Sequence, residues 1–151
     1  MKKSQRIKTL VDINAAQEKN ALEAMGEVQK KLLASQAQLE HLRNYRREYQ
    51  DKFDRLGSEG VNIAQLLEFR SFIDKLDKAI LGQEQSLRGI ENELNDKKKA
   101  WEGLHHRTNS LQKVCDAARL AELKQQDKLE QSAQDERAAR SGRSGRNGLM
   151  E

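Results

Sequence analysis

The chain has 151 residues, 36% of them apolar and 34% charged, with a mean hydropathy of −0.95 and no proline. So little apolar side chain excludes an ordinary layered core and suits a fold that buries one narrow seam. The net charge of +4 sits at the ends: residues 1–8 carry +4 and residues 137–151 carry +3, which leaves −3 for residues 9–136. A mixed-charge body of this kind is what solvated helix flanks look like. No apolar run reaches the length of a signal-peptide core or a membrane span, so the expectation is a cytoplasmic chain with no span of its own.

The first predicted element is a helix over residues 5–56. Positions seven apart read Val11, Glu18, Met25, Leu32, Leu39, Arg46 and Phe53, and the set three residues on reads Asn14, Ala21, Val28, Ser35, Leu42, Tyr49 and Leu56. A 3,4 spacing held this long demands a left-handed supercoil, because only supercoiling keeps a stripe of that period facing one partner. The pattern stops at Leu56-Gly57-Ser58-Glu59-Gly60, residues suited to a left-handed helix cap and a short turn over 57–62. Asn62 followed by Gln65 is a capping-box pattern, with Val61 and Leu66 at the hydrophobic-staple positions.

A second helix is therefore predicted over 63–138. Its ladder runs from Leu66, Ile73, Ile80 and Leu87 through Trp101 to Cys115, with Phe69, Leu76, Gln83, Ile90 and Leu111 in the companion set. A connection this short forces antiparallel neighbours. The predicted fold class is all-α: two long helices in an antiparallel coiled-coil hairpin over residues 1–140, followed by a disordered basic tail over 141–151 rich in Ser, Gly and Arg.

Setting Phe53 opposite Phe69 pairs Tyr49 with Ile73, Leu42 with Ile80, Ser35 with Leu87, and small Ala21 with Trp101. At about 1.5 Å per residue the second helix is the longer, so residues after about 115 should overhang without an intrachain partner. Cys115, the lone cysteine, falls on the seam and is expected to be a packed thiol.

No phosphate loop, paired-cysteine spacing or nucleophile triad is present, and His41, His105 and His106 fall off the seam, so no catalytic, metal or cofactor site is expected. The informative surface is aromatic. Five of the six aromatic residues, Tyr45, Tyr49, Phe53, Phe69 and Phe72, lie between residues 45 and 72. Tyr45 and Phe72 each immediately precede a seam position, as do Gln38 and Ala79. In an antiparallel pair such flanking positions adjoin, which predicts a partly exposed apolar patch on one side near the turn.

At these residues the sequence also resembles a known family. Leu42-Arg43-Asn44-Tyr45-Arg46-Arg47-Glu48-Tyr49, then Phe69-Arg70-Ser71-Phe72-Ile73-Asp74-Lys75-Leu76 with Ala79, Ile80 and Gln83, then Trp101, are similar to the pattern of the FliJ family, coiled-coil proteins of the flagellar type III export apparatus. The resemblance implies a non-enzymatic, stalk-like adaptor needed for motility, at the cytoplasmic face of the inner membrane. Its implied partners are a hexameric export ATPase, the cytoplasmic domain of the membrane export gate, and export chaperones. Carried onto this chain, the gate-binding positions would be Gln38, Leu42, Tyr45, Tyr49, Phe72, Leu76, Ala79 and Gln83. The ATPase would meet the basic N-terminus and the segment beyond about 115. Alternatives are the equivalent stalk of a virulence-type secretion system, a nucleic-acid binder working through the arginine tail, and a plain scaffold dimer. Against nucleic acid, the tail carries no interleaved aromatic for stacking and the body is acidic.

Overall fold

The computed structural model describes the backbone of residues 2–60 and 62–149, and the side chains of those residues up to Arg143. The chain is all-α, with no strand among the described residues: α1 spans Lys3–Ser58 (56 residues) and α2 spans Ile63–Leu149 (87 residues). Without proline, no residue removes a ladder donor, and neither helix is interrupted.

The chain reverses where its local chemistry changes. At the end of α1 the Glu59 N–H donates to the Arg55 carbonyl at 3.1 Å, and the Ser58 hydroxyl donates to the same carbonyl at 2.8 Å. Gly60 then takes a φ of +74°, the left-handed conformation that lets the backbone leave the helix axis. Asn62 caps α2: its Oδ1 accepts from the Ala64 N–H at 3.2 Å, while its carbonyl receives the N–H groups of Gln65 and Leu66. The expected staple through Val61 lies outside the described residues. At its far end α2 runs beyond residue 138, because Ala138, Ala139 and Arg140 favour helix and the glycines that follow weaken it by only about 1 kcal/mol each. From residue 144 onward the expected tail lies outside the described side chains.

By packing, the chain divides into two units: unit 1 is Met1–Gln17 with Leu104–Glu151, and unit 2 is Glu18–Gly103. Unit 2 contains the turn and the antiparallel segments on either side of it. Its buried seam residues are Val28, Ser35, Leu39, Ile73 and Leu76. Here contacts fall on either side of the expected pairing, by up to about one helical turn. Gln83 Nε2 donates to the Ser35 hydroxyl at 2.9 Å, and Tyr49 meets Phe69 with ring centroids 5.8 Å apart and Phe72, beside the expected Ile73, at 4.5 Å. A knob sits in a hole bounded by two successive layers of the opposite helix, and the polar Gln83 takes the layer that offers a hydroxyl. Two ion pairs flank this seam, Arg46 with Asp77 and Arg43 with Glu84 at 3.2 Å. Being exposed, they fix register more than they add stability.

Unit 1 is also an antiparallel pair. Val11, Asn14 and Cys115 are its buried centre, Cys115 having no solvent exposure at all. Asn14 Nδ2 donates to the Leu104 carbonyl at 3.0 Å and to the Thr108 hydroxyl at 2.7 Å, a polar layer with every group satisfied. Pairing also reaches further along α2 than expected. The Ser4 N–H donates to Glu122 Oε1 at 3.0 Å and its hydroxyl to Oε2 at 2.6 Å, so residues between 115 and 122 do have an intrachain partner. The reason is an electrostatic match: the first N–H groups of α1 have no acceptor within their own helix, and a carboxylate is the natural acceptor there. The side chains from 123 to 143 are all exposed.

Two outcomes follow for unit 1. Asn14→Ala should cost about 1–3 kcal/mol by urea unfolding because it removes both hydrogen bonds that cross the seam to Leu104 and Thr108 and leaves a gap there, whereas Asn14→Val with Thr108→Val should be near neutral. An equal loss in both variants would show that the layer is not acting through hydrogen bonding. The Glu122 carboxyl is held below the ordinary glutamate value by the Ser4 hydroxyl, then by the Ser4 N–H, with further attraction from Lys2 and Arg119. A lowered carboxylate pKa contributes stability above the unfolded value, about 4.3, and loses it as pH falls. The Ser4 amide signal in NMR should therefore titrate with a midpoint below that value and stop titrating in Glu122→Gln; a midpoint above it would contradict the assignment.

Candidate partner-docking surface

On the half of unit 2 nearest the turn, the two flanks of the seam carry different chemistry. Arg43 and Arg46 of α1 and Asp77 and Glu84 of α2 close one flank with charge pairs. Asp77, chiefly through its hydrogen bond, raises the pKa of the Arg46 guanidinium, so that flank stays charged and paired. The other flank is made of rings. Tyr45 lies one helical turn from Tyr49, which places their centroids 5.3 Å apart, and Phe72 of α2 approaches Tyr49 at 4.5 Å and Tyr45 at 6.5 Å. All these contacts are tilted, the arrangement that brings a ring's positive edge toward a neighbour's negative face.

The burial of these rings matters as much as their contacts. Tyr45 is 42% exposed and Phe72 37% exposed, whereas Tyr49 is half-buried beneath them. Tyr49 is thus the floor of the cluster, and Tyr45 and Phe72 are its open face. Between Tyr49, Phe69 and Phe72 lies a shallow groove of about 160 Å³, rimmed by Glu68. No partner covers these rings within unit 2, so their apolar area is available to another molecule.

The eight residues singled out from sequence separate by position. Tyr45, Tyr49 and Phe72 are brought together, and Gln38 and Ala79 are exposed. Leu42 is half-buried. Leu76 is 8% exposed and belongs to the seam, and Gln83 spends its amide on Ser35. Three further residues join the surface: His41 stacks toward Tyr45 at 6.5 Å, Lys52 places its ammonium 5.3 Å from the Tyr49 centroid, and Phe69 touches Tyr49. His41 and Lys52 were detectable in principle, standing four residues before Tyr45 and three after Tyr49, where helical neighbours meet.

Unit 1 has a surface of its own. Lys2, Lys8, Arg119, Glu122 and Gln126 line a groove of about 340 Å³ beside Ser4, and Leu10, Ile13, Leu120, Leu123 and Leu129 are each more than half exposed. Among the described residues, no group of three or more His, Cys, Asp or Glu side chains could hold a metal ion. Nor is any described helix long and apolar enough to cross a membrane.

The family model described as Flagellar FliJ protein matches residues 2–147. The Flagellar FliJ protein of Escherichia coli (strain K12) is 24% identical over 128 residues, covering 85% of this chain and 87% of that one. No solved structure matches the chain. Two long helices carrying paired heptad seams, together with a family match over nearly the whole length, establish that the chain belongs to the flagellar FliJ protein family and is a coiled-coil protein of flagellar protein export.

Proposed function

We propose that this chain is a stalk-like adaptor that links the hexameric flagellar export ATPase to the cytoplasmic domain of the membrane export gate and assists the handling of chaperone–substrate complexes. In this reading it is a cytoplasmic protein, peripheral to the inner membrane through its partners. The observation that carries the reading is the asymmetry of unit 2: one flank is closed by ion pairs and the other leaves Tyr45 and Phe72 open over Tyr49. Exposed rings held in place by one another lose little freedom on binding, which is what makes aromatic residues effective anchors. The gate is the partner assigned to this flank, with Tyr45, Tyr49 and Phe72 as anchors, Gln38 and Ala79 as rim, and Leu42, Leu76 and Gln83 holding the helices that present them.

The basic groove and exposed leucines of unit 1 suit the ATPase. Lys2, Lys8 and Arg119 supply a salt-sensitive attraction, and the leucines supply apolar contact. The function needs no bond-making step, since an adaptor contributes only surfaces and the stiffness of its helices.

Replacing Tyr45 and Phe72 together with alanine should leave helicity intact, weaken gate binding at least about thirtyfold, and abolish swimming. Full swimming in that variant would sink the reading. Charge reversal of Lys2, Lys8 and Arg119 should instead weaken ATPase capture and reduce its sensitivity to salt while leaving gate capture unchanged. Loss of gate capture in this second variant would show that the two surfaces do not divide the partners as proposed.

A further inference from the structure

The paired segments of unit 1 are held in two different ways. Near Asn14 the seam contains buried Val11 and the satisfied amide–hydroxyl layer with Thr108. Toward the start of α1 the facing residues become Ser4, Ile7, Cys115, Ala118 and Glu122; Ile7, half-buried, is the one large apolar side chain among them, so little apolar surface is hidden there. Besides Ile7, what holds that end is a set of directional contacts on one residue. Ser4 donates its N–H and its hydroxyl to the two oxygens of Glu122, and its carbonyl accepts from the Cys115 thiol at 3.6 Å. Ser4 thus has all three polar groups committed to α2.

Such an attachment fails differently from an apolar seam. Apolar burial is non-directional and is lost in proportion to area, whereas contacts gathered on one carboxylate are lost together when that carboxylate moves. The neighbouring side chains replace it only in part: Ile7 is half-buried, and Leu10 and Ile13 are more than half exposed. Nor is the carboxylate shielded from competition, because Lys2, Lys8 and Arg119 line the same open groove and offer it other cations.

The geometry points to a releasable strap: residues 3–10 of α1, pinned to α2 at Ser4 by Glu122 and Cys115, open as one local unit while the Asn14–Thr108 layer stays paired. Opening uncovers the face of α2 from Cys115 to Glu122 and makes the Cys115 thiol accessible. The strap is then the part of unit 1 that a partner could displace without melting the rest, and this holds whichever partner meets that end.

Cys115 supplies the readout, since it is the single cysteine and is fully buried when the strap is closed. The full chain would be labelled with a maleimide at neutral pH, and amide exchange would be followed in parallel. Glu122→Ala should raise the labelling rate about tenfold, the lower range for charge-assisted hydrogen bonds because Glu122 is partly solvated. Ser4→Ala, which keeps the backbone bond to Glu122, should raise it by a smaller factor. Exchange protection should fall in residues 3–10 and stay unchanged in 11–17 and 104–114. Labelling at the wild-type rate in both variants would overturn the strap. So would protection lost throughout 3–17 and 104–122, because the unit would then open as a whole.

Discussion

A seam between only two helices can cover one stripe on each of them, and every other surface must face solvent. This constraint shapes the rest of the protein. Even seam residues such as Leu32, Leu87, Leu94 and Leu104 are only half-buried, and full burial is reached at few positions. Apolar contact alone therefore discriminates weakly between neighbouring registers, since a knob shifted by one turn meets a similar hole. Polar layers supply the discrimination. Asn14 with Thr108 in unit 1 and Ser35 with Gln83 in unit 2 are satisfied in the observed layer, and a shift would bury them unpaired.

The same constraint explains why the flanks carry the chemistry. In an antiparallel pair, the positions beside the seam on one side meet their counterparts from the other helix, and so do those on the other side. Arg43 and Glu84 meet on one flank of unit 2, and Tyr45 and Phe72 meet on the other. Each flank can then be specialised without disturbing the seam. Charge pairs exposed to water add little free energy but exclude apolar partners from that side, whereas the ring cluster invites them.

How far this was legible in the sequence follows from which signals are periodic. The heptad ladders from Val11 to Leu56 and from Leu66 onward lie within the two helices, and Asn62 marks the restart because a cap leaves a local residue pattern. Placing Tyr45 and Phe72 on one flank required only heptad arithmetic. What the ladders do not reveal is the polar bonding between layers: a stripe of half-buried leucines does not say that Ser35 receives the Gln83 amide, because that rests on one hydroxyl–amide bond. The reach of pairing along α2 was missed for a related reason. Glu122 occupies a seam position but reads as solvated charge, and only the unsatisfied N–H groups at the start of α1 turn it into an anchor.

A partly exposed aromatic cluster must satisfy two opposing demands: its rings must be ordered enough to present a defined surface, yet remain open enough to be buried by another molecule. In unit 2 these demands fall on different residues. Leu76 and Gln83 order the site from within the seam, one by burial and one by bonding Ser35, so truncating either would move the rings rather than remove a contact. Tyr49 stands between the two roles, touching Tyr45, Phe69 and Phe72 while remaining half-buried. Among the Tyr and Phe rings of the cluster, Tyr45 and Phe72 are the ones the fold leaves exposed, so the affinity of the proposed docking surface rests on them, and the surrounding residues set where they point.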